Sequence, residues 1–428
     1  MVLPYTIKHI QLDQLSEKNI ISKLDGSSYY FFWWRQIPLG HLFVEHHKVF
    51  NNSDADYKIL TVIASTVNFY NAKPELTDVY RRAFLEKDYV GFTKTMDEIF
   101  GTYSSEKIIA ENKLDISVII CTRNRSTDLQ VCLESLFKQI CIPKEIIIVD
   151  NAPTDDSTLK VVEKFKGVTY CKEPKPGLSI ARNTGIQKAQ YPIIAWVDDD
   201  VQVHPLWAYR VWETFLTPSI TAMTGLVIAS SLDTESQQIF EKFWSFNRGY
   251  QDHFYDSLFY HNTLPFGPKA SDIGAGANMA FRASVFKEKG DFNELLGAGA
   301  SGCSEDSEMW YRIIADKRFT IQYNPRCIVY HKHRRELSSL NKQLFSYMRG
   351  HVVAVLIQQT QNSEAGYLKY LYKGLPIYYL RLFKSGFPFY SHRFRTLLSE
   401  SKGIISGLRF YHKNKKKLPV INDKSIQL

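Results

Sequence analysis

The amino-acid sequence predicts an α/β protein: a mixed, mainly parallel sheet with helices on both faces, a small α+β region before it and a helical extension after it. Three observations predict this. From Leu114 onward, continuous apolar runs alternate with helical patterns, as strands buried on both faces require. Upstream, apolar runs and helices follow one another without that alternation. Beyond Glu336 the residues turn basic, aromatic and helical. The 428 residues suffice for more than one unit, and 44% hydrophobic with 23% charged residues is an ordinary globular composition. The expected divisions are 1–112, 113–336 and 337–428.

In the first region, "SSYYFFWWRQIPLGHLFVEH" holds two apolar runs around "RQIPLG" and reads as a hairpin. "DVYRRAFLEKDYVGFTKTMDEIF" is helical by its period, and "GTYSSEKIIAENK" reads as a connector. Acceptor binding, homodimer formation and bracing of the sheet are all open roles for this region. In the second, "DISVIICT", "KEIIIVDNA", "VTYCKEP" and "PIIAWVDDD" are successive strands. The helices "RSTDLQVCLESLFKQI", "DDSTLKVVEKFK" and "LSIARNTGIQKA" alternate with them. Ligands of such sheets bind beyond the carboxyl ends of the strands. That rule sets Thr122, Arg123, Asp150, Asn151 and Asp198 to Asp200 along one rim.

Three consecutive aspartates repel one another by about 4 kcal/mol per pair at 4 Å and an effective dielectric near 20. Such a run is either a solvated loop or a cation site, and its place on the rim favours the cation. Strand alternation puts Asp198 and Asp200 on one side and Asp199 on the other. Two hard carboxylates suit Mg²⁺ or Mn²⁺ shared with phosphate oxygens. Asp150 can accept hydrogen bonds from a ribose or base edge, while "CTRNRS" lacks the glycines of a dinucleotide fingerprint. Taken singly, each residue has a plainer reading. Asp306 is a helix N-terminal acid behind a Ser304 cap, Asp150 a turn residue, Arg182 a surface arginine, and His331 part of an exposed basic segment.

The segments "ISVIICTRNRSTDLQVCLESL", "EIIIVDNAPTD", "KPGLSIARNTGI", "AWVDDD", "GAGANMAFRASVF", "GDFNELLGAGASGCSEDSEMWYRI" and "YNPRCIVYHKHRRE" stand in one order. In that order the chain resembles a family 2 inverting glycosyltransferase of the GT-A fold, over roughly half its length. The resemblance implies that Thr122, Arg123, Asp150 and Arg182 frame the nucleotide of a sugar donor. Asp198 and Asp200 would hold the metal on its diphosphate, His331 would add a contact there, and Asp199 would sit beside the ribose. Asp306 would be the general base. Glu305, Glu308, Gly276 and Asn278 would lie near the donor sugar or acceptor. Inversion then gives a β-linked product from an α-linked donor. The QxxRW motif of processive members is replaced by "MWYRIIADKRF", which implies transfer of one or a few sugars to a discrete acceptor.

The donor expected is a UDP-sugar, and the acceptor a saccharide, lipid-linked or other hydroxyl. The aromatic stretch "FEKFWSFNRGYQDHFYDSLFYHN" is the acceptor-side candidate, with a lid or interface as its other reading. From Lys332 onward 18 Lys and Arg stand against 4 acids, whereas the preceding residues hold 35 against 40. The basic extension therefore suits an anionic membrane surface or a docked helical cap, and nucleic acid is not expected without a recognition module. Six cysteines without paired spacing, no signal pattern and no long apolar run point to a cytoplasmic protein, with a peripheral place on the membrane's cytoplasmic face left open by the basic extension. A sugar nucleotidyltransferase and a non-catalytic sugar-nucleotide or glycan binder are the rival readings.

Overall fold

The structure is a computed structural model and describes residues 3–104 and 113–417. In the first region the hairpin strands are β2 (Ser28–Trp34) and β3 (Ile37–Val44), turning at Arg35 and Gln36. A third strand, β1 (Thr6–Gln11), pairs parallel to β2 and was not foreseen. Alternation along β2 buries both faces. Tyr30, Phe32 and Trp34 pack under helices α1 (Asn52–Tyr70), α2 (Leu76–Leu85) and α3 (Tyr89–Ser104). Tyr29, Phe31 and Trp33 instead pack on Leu226, Ile228 and Ile328 of the next region. The expected helical stretch forms as α2 and α3, parted at Glu86–Asp88. The expected connector begins inside α3, and its residues 105–112 lie outside the described residues, as does the 112/113 boundary.

The second region follows the predicted alternation: β4 (Lys113–Thr122), α4 (Ser126–Leu136), β5 (Ile142–Asn151), α5 (Ser157–Val162), β6 (Val168–Glu173), α6 (Leu178–Lys188) and β7 (Ile193–Val197). These four strands are parallel, in the order β7-β4-β5-β6. The sheet continues beyond β7 through β8 (Val201–Val203), α7 (Trp207–Thr214), β9 (Ile220–Ala229), α8 (Glu235–Phe243), β10 (His253–Tyr255), β11 (Asn278–Arg282), α9 (Glu305–Ile314) and β12 (Thr320–His331). Its full order is β8-β12-β9-β11-β7-β4-β5-β6, with β10 on β12. β11 runs antiparallel to both neighbours, which makes the sheet mixed. Two apolar layers cover it, one containing Trp196 and Trp310, the other Leu133 and Trp207.

The third region docks on this body. Helix α10 (Leu337–Gln361) buries Val352, Val355 and Leu356 in the layer around Trp310. A run from Tyr367 through a π-helical turn at Tyr370–Gly374 leads into α11 (Leu375–Gly386), and α12 (Leu397–Asn414) lies along α10. Among the described residues no helix is long and apolar enough to cross a membrane.

Candidate active site

The aspartates do not extend the strand. β7 stops at Val197, and Asp198 to Asp200 form a turn before β8, so each carboxylate takes its own direction. Thr122, at the end of β4, donates its hydroxyl to Asp199 Oδ2 at 2.7 Å. Arg125, just before α4, donates to Asp199 Oδ1 at 2.6 Å and to Asp200 Oδ2 at 2.8 Å. Strict alternation is thus broken: one guanidinium ties the middle aspartate to an outer one. Asp198 remains half-buried, 3.8 Å from Arg182 Nη2.

His331 ends β12 and meets this turn because β8 pairs with β12, Val201 opposite His331. Its Nε2 lies 3.4 Å from Asp200 Oδ1. Ligand atoms of Asp198, Asp200 and His331 all fall within 4.8 Å of one another, which makes the expected trio a candidate metal centre. Burial raises Asp198 to about 6 and Asp199 to about 7, with the charge on Asp200 adding to both. For Asp200, burial acts upward, yet His331, Arg125 and Arg334 outweigh it and hold the carboxyl at about 2. Burial holds His331 at about 4, so the imidazole is neutral at pH 7.

Behind His331 runs a buried chain. His331 Nδ1 and His333 Nδ1 are 2.9 Å apart, His333 Nε2 lies 2.9 Å from Glu241 Oε2, and Tyr29 donates its hydroxyl to Glu241 Oε1 at 3.0 Å. In the tautomer that carries the shared hydrogen on His331 Nδ1, the Nδ1 of His333 accepts it. His331 Nε2 is then a lone pair facing the acids, and such a set of acceptors fits a divalent cation.

The second acid pair begins α9. Ser304 has φ 71 and makes no side-chain cap, so the strained residue turns the chain rather than capping it. Glu305 accepts from the fully buried Arg182 at 2.6 Å, and its Oε2 has no partner. Burial lifts Glu305 to about 7 against the pull of Arg182. Asp306 has no such cation: Oδ2 accepts from the Gly276 N–H at 2.8 Å, and Oδ1 from the Ser307 N–H at 2.7 Å. A Cβ at Gly276 would lie 2.7 Å from Arg182 Nη2 and 3.3 Å from Asp306 Oδ2, so glycine lets this corner close. Arg182 therefore spans the two acid clusters.

Both clusters open onto one cleft of about 1530 Å³. Of the residues singled out in the sequence, Thr122, Arg123, Arg182, Asp198, Asp199, Asp200, Gly276, Glu305, Asp306 and His331 line it. Three expected residues do not. Asp150 is enclosed below the rim, accepting from the Tyr170 hydroxyl at 2.9 Å, while its neighbour Asn151 reaches the cleft. Asn278 is a buried brace, taking the Trp207 indole N–H and donating to the carbonyls of Leu226 and Cys327. Glu308 points away, paired with Arg312 and accepting from Gln361. The aromatic stretch divides: Phe243, Trp244 and Phe246 line the cleft, whereas Tyr260 packs on Tyr311. Reading by residue missed Arg125, whose only signal was a second arginine just ahead of a rim helix. It also missed the C-terminal contribution to the wall from Tyr347, Tyr370, Tyr378 and Arg393.

Residues 117–289 match the sequence model of Glycosyl transferase family 2. Uncharacterized glycosyltransferase YibD of Escherichia coli is 36% identical over 112 residues, which are 26% of this chain and 31% of that protein. Glucosyl-dolichyl phosphate glucuronosyltransferase of Haloferax volcanii is 23% identical over 273 residues, 60% of this chain and 82% of its own length. The match thus spans about a third of the first relative and most of the second. Among solved structures, the mannosyltransferase PcManGT from Pyrobaculum calidifontis in complex with GDP-Man and Mn²⁺ aligns over 86% of this chain and 88% of its own, at 14% identity and a TM-score of 0.40.

Proposed function

The chain belongs to the family 2 glycosyltransferases, with a GT-A fold, and we propose that it moves one sugar from a nucleoside-diphosphate donor to an acceptor hydroxyl with inversion. One observation carries the proposal: two acid clusters of different character share a cleft and are bridged by Arg182. Asp198, Asp200 and His331 are the residues that would hold a divalent cation. Bound there, Mg²⁺ or Mn²⁺ supplies neutralisation of the charge growing on the leaving diphosphate.

The chain's own groups do the rest. Thr122 and Arg125 fix Asp199 and Asp200, so the rim is set before the donor arrives. Arg123 and Asn151 offer polar contacts to the nucleotide. Asp306 takes the proton of the acceptor hydroxyl. Its carboxylate is held only by neutral donors, with no ion-paired partner. Glu305 and Gly276 hold Arg182 and Asp306 in register. Trp244, Phe246, Tyr347 and Tyr378 form the acceptor wall, where aromatic faces stack on sugar rings. A UDP-sugar is the proposed donor. A lipid-linked saccharide is the proposed acceptor, in keeping with the Haloferax relative, whose name specifies a glucosyl-dolichyl phosphate.

A thermal-shift screen of UDP-, GDP- and dTDP-sugars, each with and without Mn²⁺, tests this reading. A specific donor at a hundred times its Kd should stabilise the protein by about 2.7 kcal/mol, and only with the ion present. Stabilisation by none of them, or equal stabilisation without the ion, would refute it.

A further inference from the structure

We propose that the outward face of residues 367–389 docks on an anionic lipid bilayer. The inner stripe of this segment, Tyr367, Leu371, Leu375 and Tyr379, is buried in the core of the body. Its outer face is unusually apolar for a surface: Tyr372 is 59% exposed, Leu380 71%, Phe387 73% and Phe389 88%. Large apolar side chains left this exposed within one short segment mark a contact surface. Between them stand the exposed cations Lys369, Lys373, Arg381 and Lys384, and no acid occurs from Ala365 to Ser399. Lys369 Nζ sits 5.5 Å from the ring centre of Phe266, itself 68% exposed, which extends the patch onto the neighbouring loop.

The charge selects the occupant. A second copy placed symmetrically on this face would set the four cations against themselves, which is unfavourable. A bilayer with anionic headgroups satisfies both features at once: phenylalanine and leucine enter the interface while lysine ammonium groups reach the phosphates. The same segment turns Tyr370, Gly374, Leu375 and Tyr378 toward the cleft. Docking would thus hold the mouth of the cleft at the lipid surface, where a lipid-linked acceptor lies. The proposal rests on this surface and not on the identities of donor, ion or base.

The test is co-sedimentation of the full chain with vesicles of phosphatidylcholine alone, and of phosphatidylcholine mixed with phosphatidylglycerol. Binding to the mixed vesicles only, weakening as salt rises, is expected. The variant K369Q/K373Q/K384Q should bind roughly a hundredfold more weakly, at about fivefold per lysine, and the arginine triple variant should bind as wild type does. The variant F387S/F389S should lose about tenfold or more. All variants should keep the wild-type unfolding temperature and Mn²⁺-dependent donor binding, so failure of the transfer reading leaves this result separate. Equal binding to both vesicle types, no binding, or a solution dimer that F387S/F389S dissolves would overturn the proposal.

Discussion

The two acid clusters of the cleft face each other across one arginine, yet they are held in opposite ways. Asp198, Asp199 and Asp200 are gripped by the guanidinium groups of Arg125, Arg182 and Arg334. Asp306 is held by two backbone N–H groups and a serine hydroxyl, while Glu305 beside it absorbs the guanidinium of Arg182. The lesson concerns counter-ions. Acids crowded on a rim and tied from one side present the other side to an added cation. A carboxylate tied only by neutral donors is left to take a proton.

The substitution that breaks this comparison hardest is Asp306→Asn. Transfer should fall by about 10² to 10⁴-fold, with donor affinity unchanged, in single-turnover assays. Undiminished transfer would mean that the contrast between the clusters has no chemical meaning. Next comes Arg182→Met, which leaves buried Glu305 uncompensated and removes the nearest cation from Asp198. Urea unfolding should show a loss of about 3–5 kcal/mol, and a loss under about 1 kcal/mol would separate the clusters energetically. His333→Ala sharpens the rim side of the comparison, because it removes the partner that orients His331. Mn²⁺ affinity, read by titration, should drop about 10- to 100-fold while the fold persists.

The smallest effect concerns the contact between the N-terminal sheet and the body, where His204 stacks on Trp33 and burial lowers it to about 4. A histidine kept neutral in the fold gives stability that is complete above its unfolded value near 6.5 and is lost as pH falls toward 4. Between pH 7 and pH 5 the loss should be roughly 2 kcal/mol. His204→Phe should flatten that part of the stability–pH curve, and an unchanged slope would place the titration elsewhere.

The parallel half of the sheet was legible because strands buried on both faces are written as unbroken apolar runs, as in "VIIC" and "IIIV". β1 was not, since "TIKHIQ" keeps every residue at least partly exposed and shows no clear alternation. The rim residues Thr122, Asp198, Asp200 and Asp306 could be found because each stands at a strand end or helix start. Asn278 and Glu308 were misplaced for the converse reason: adjacency in a motif does not say which side chain faces the cleft. Asn278 turns into the sheet to satisfy Trp207, and Glu308 follows the far face of α9 to Arg312. The chain from His331 to Glu241 joins residues 92 apart at its last step and follows from pairing geometry alone.

Calorimetric titration of UDP in the presence of Mn²⁺ into wild type, Asp200→Asn and Asp306→Asn probes the division of labour most directly. Heat of binding should survive the Asp306 change and vanish, or weaken by orders of magnitude, with the Asp200 change. Equal binding by all three proteins would contradict it.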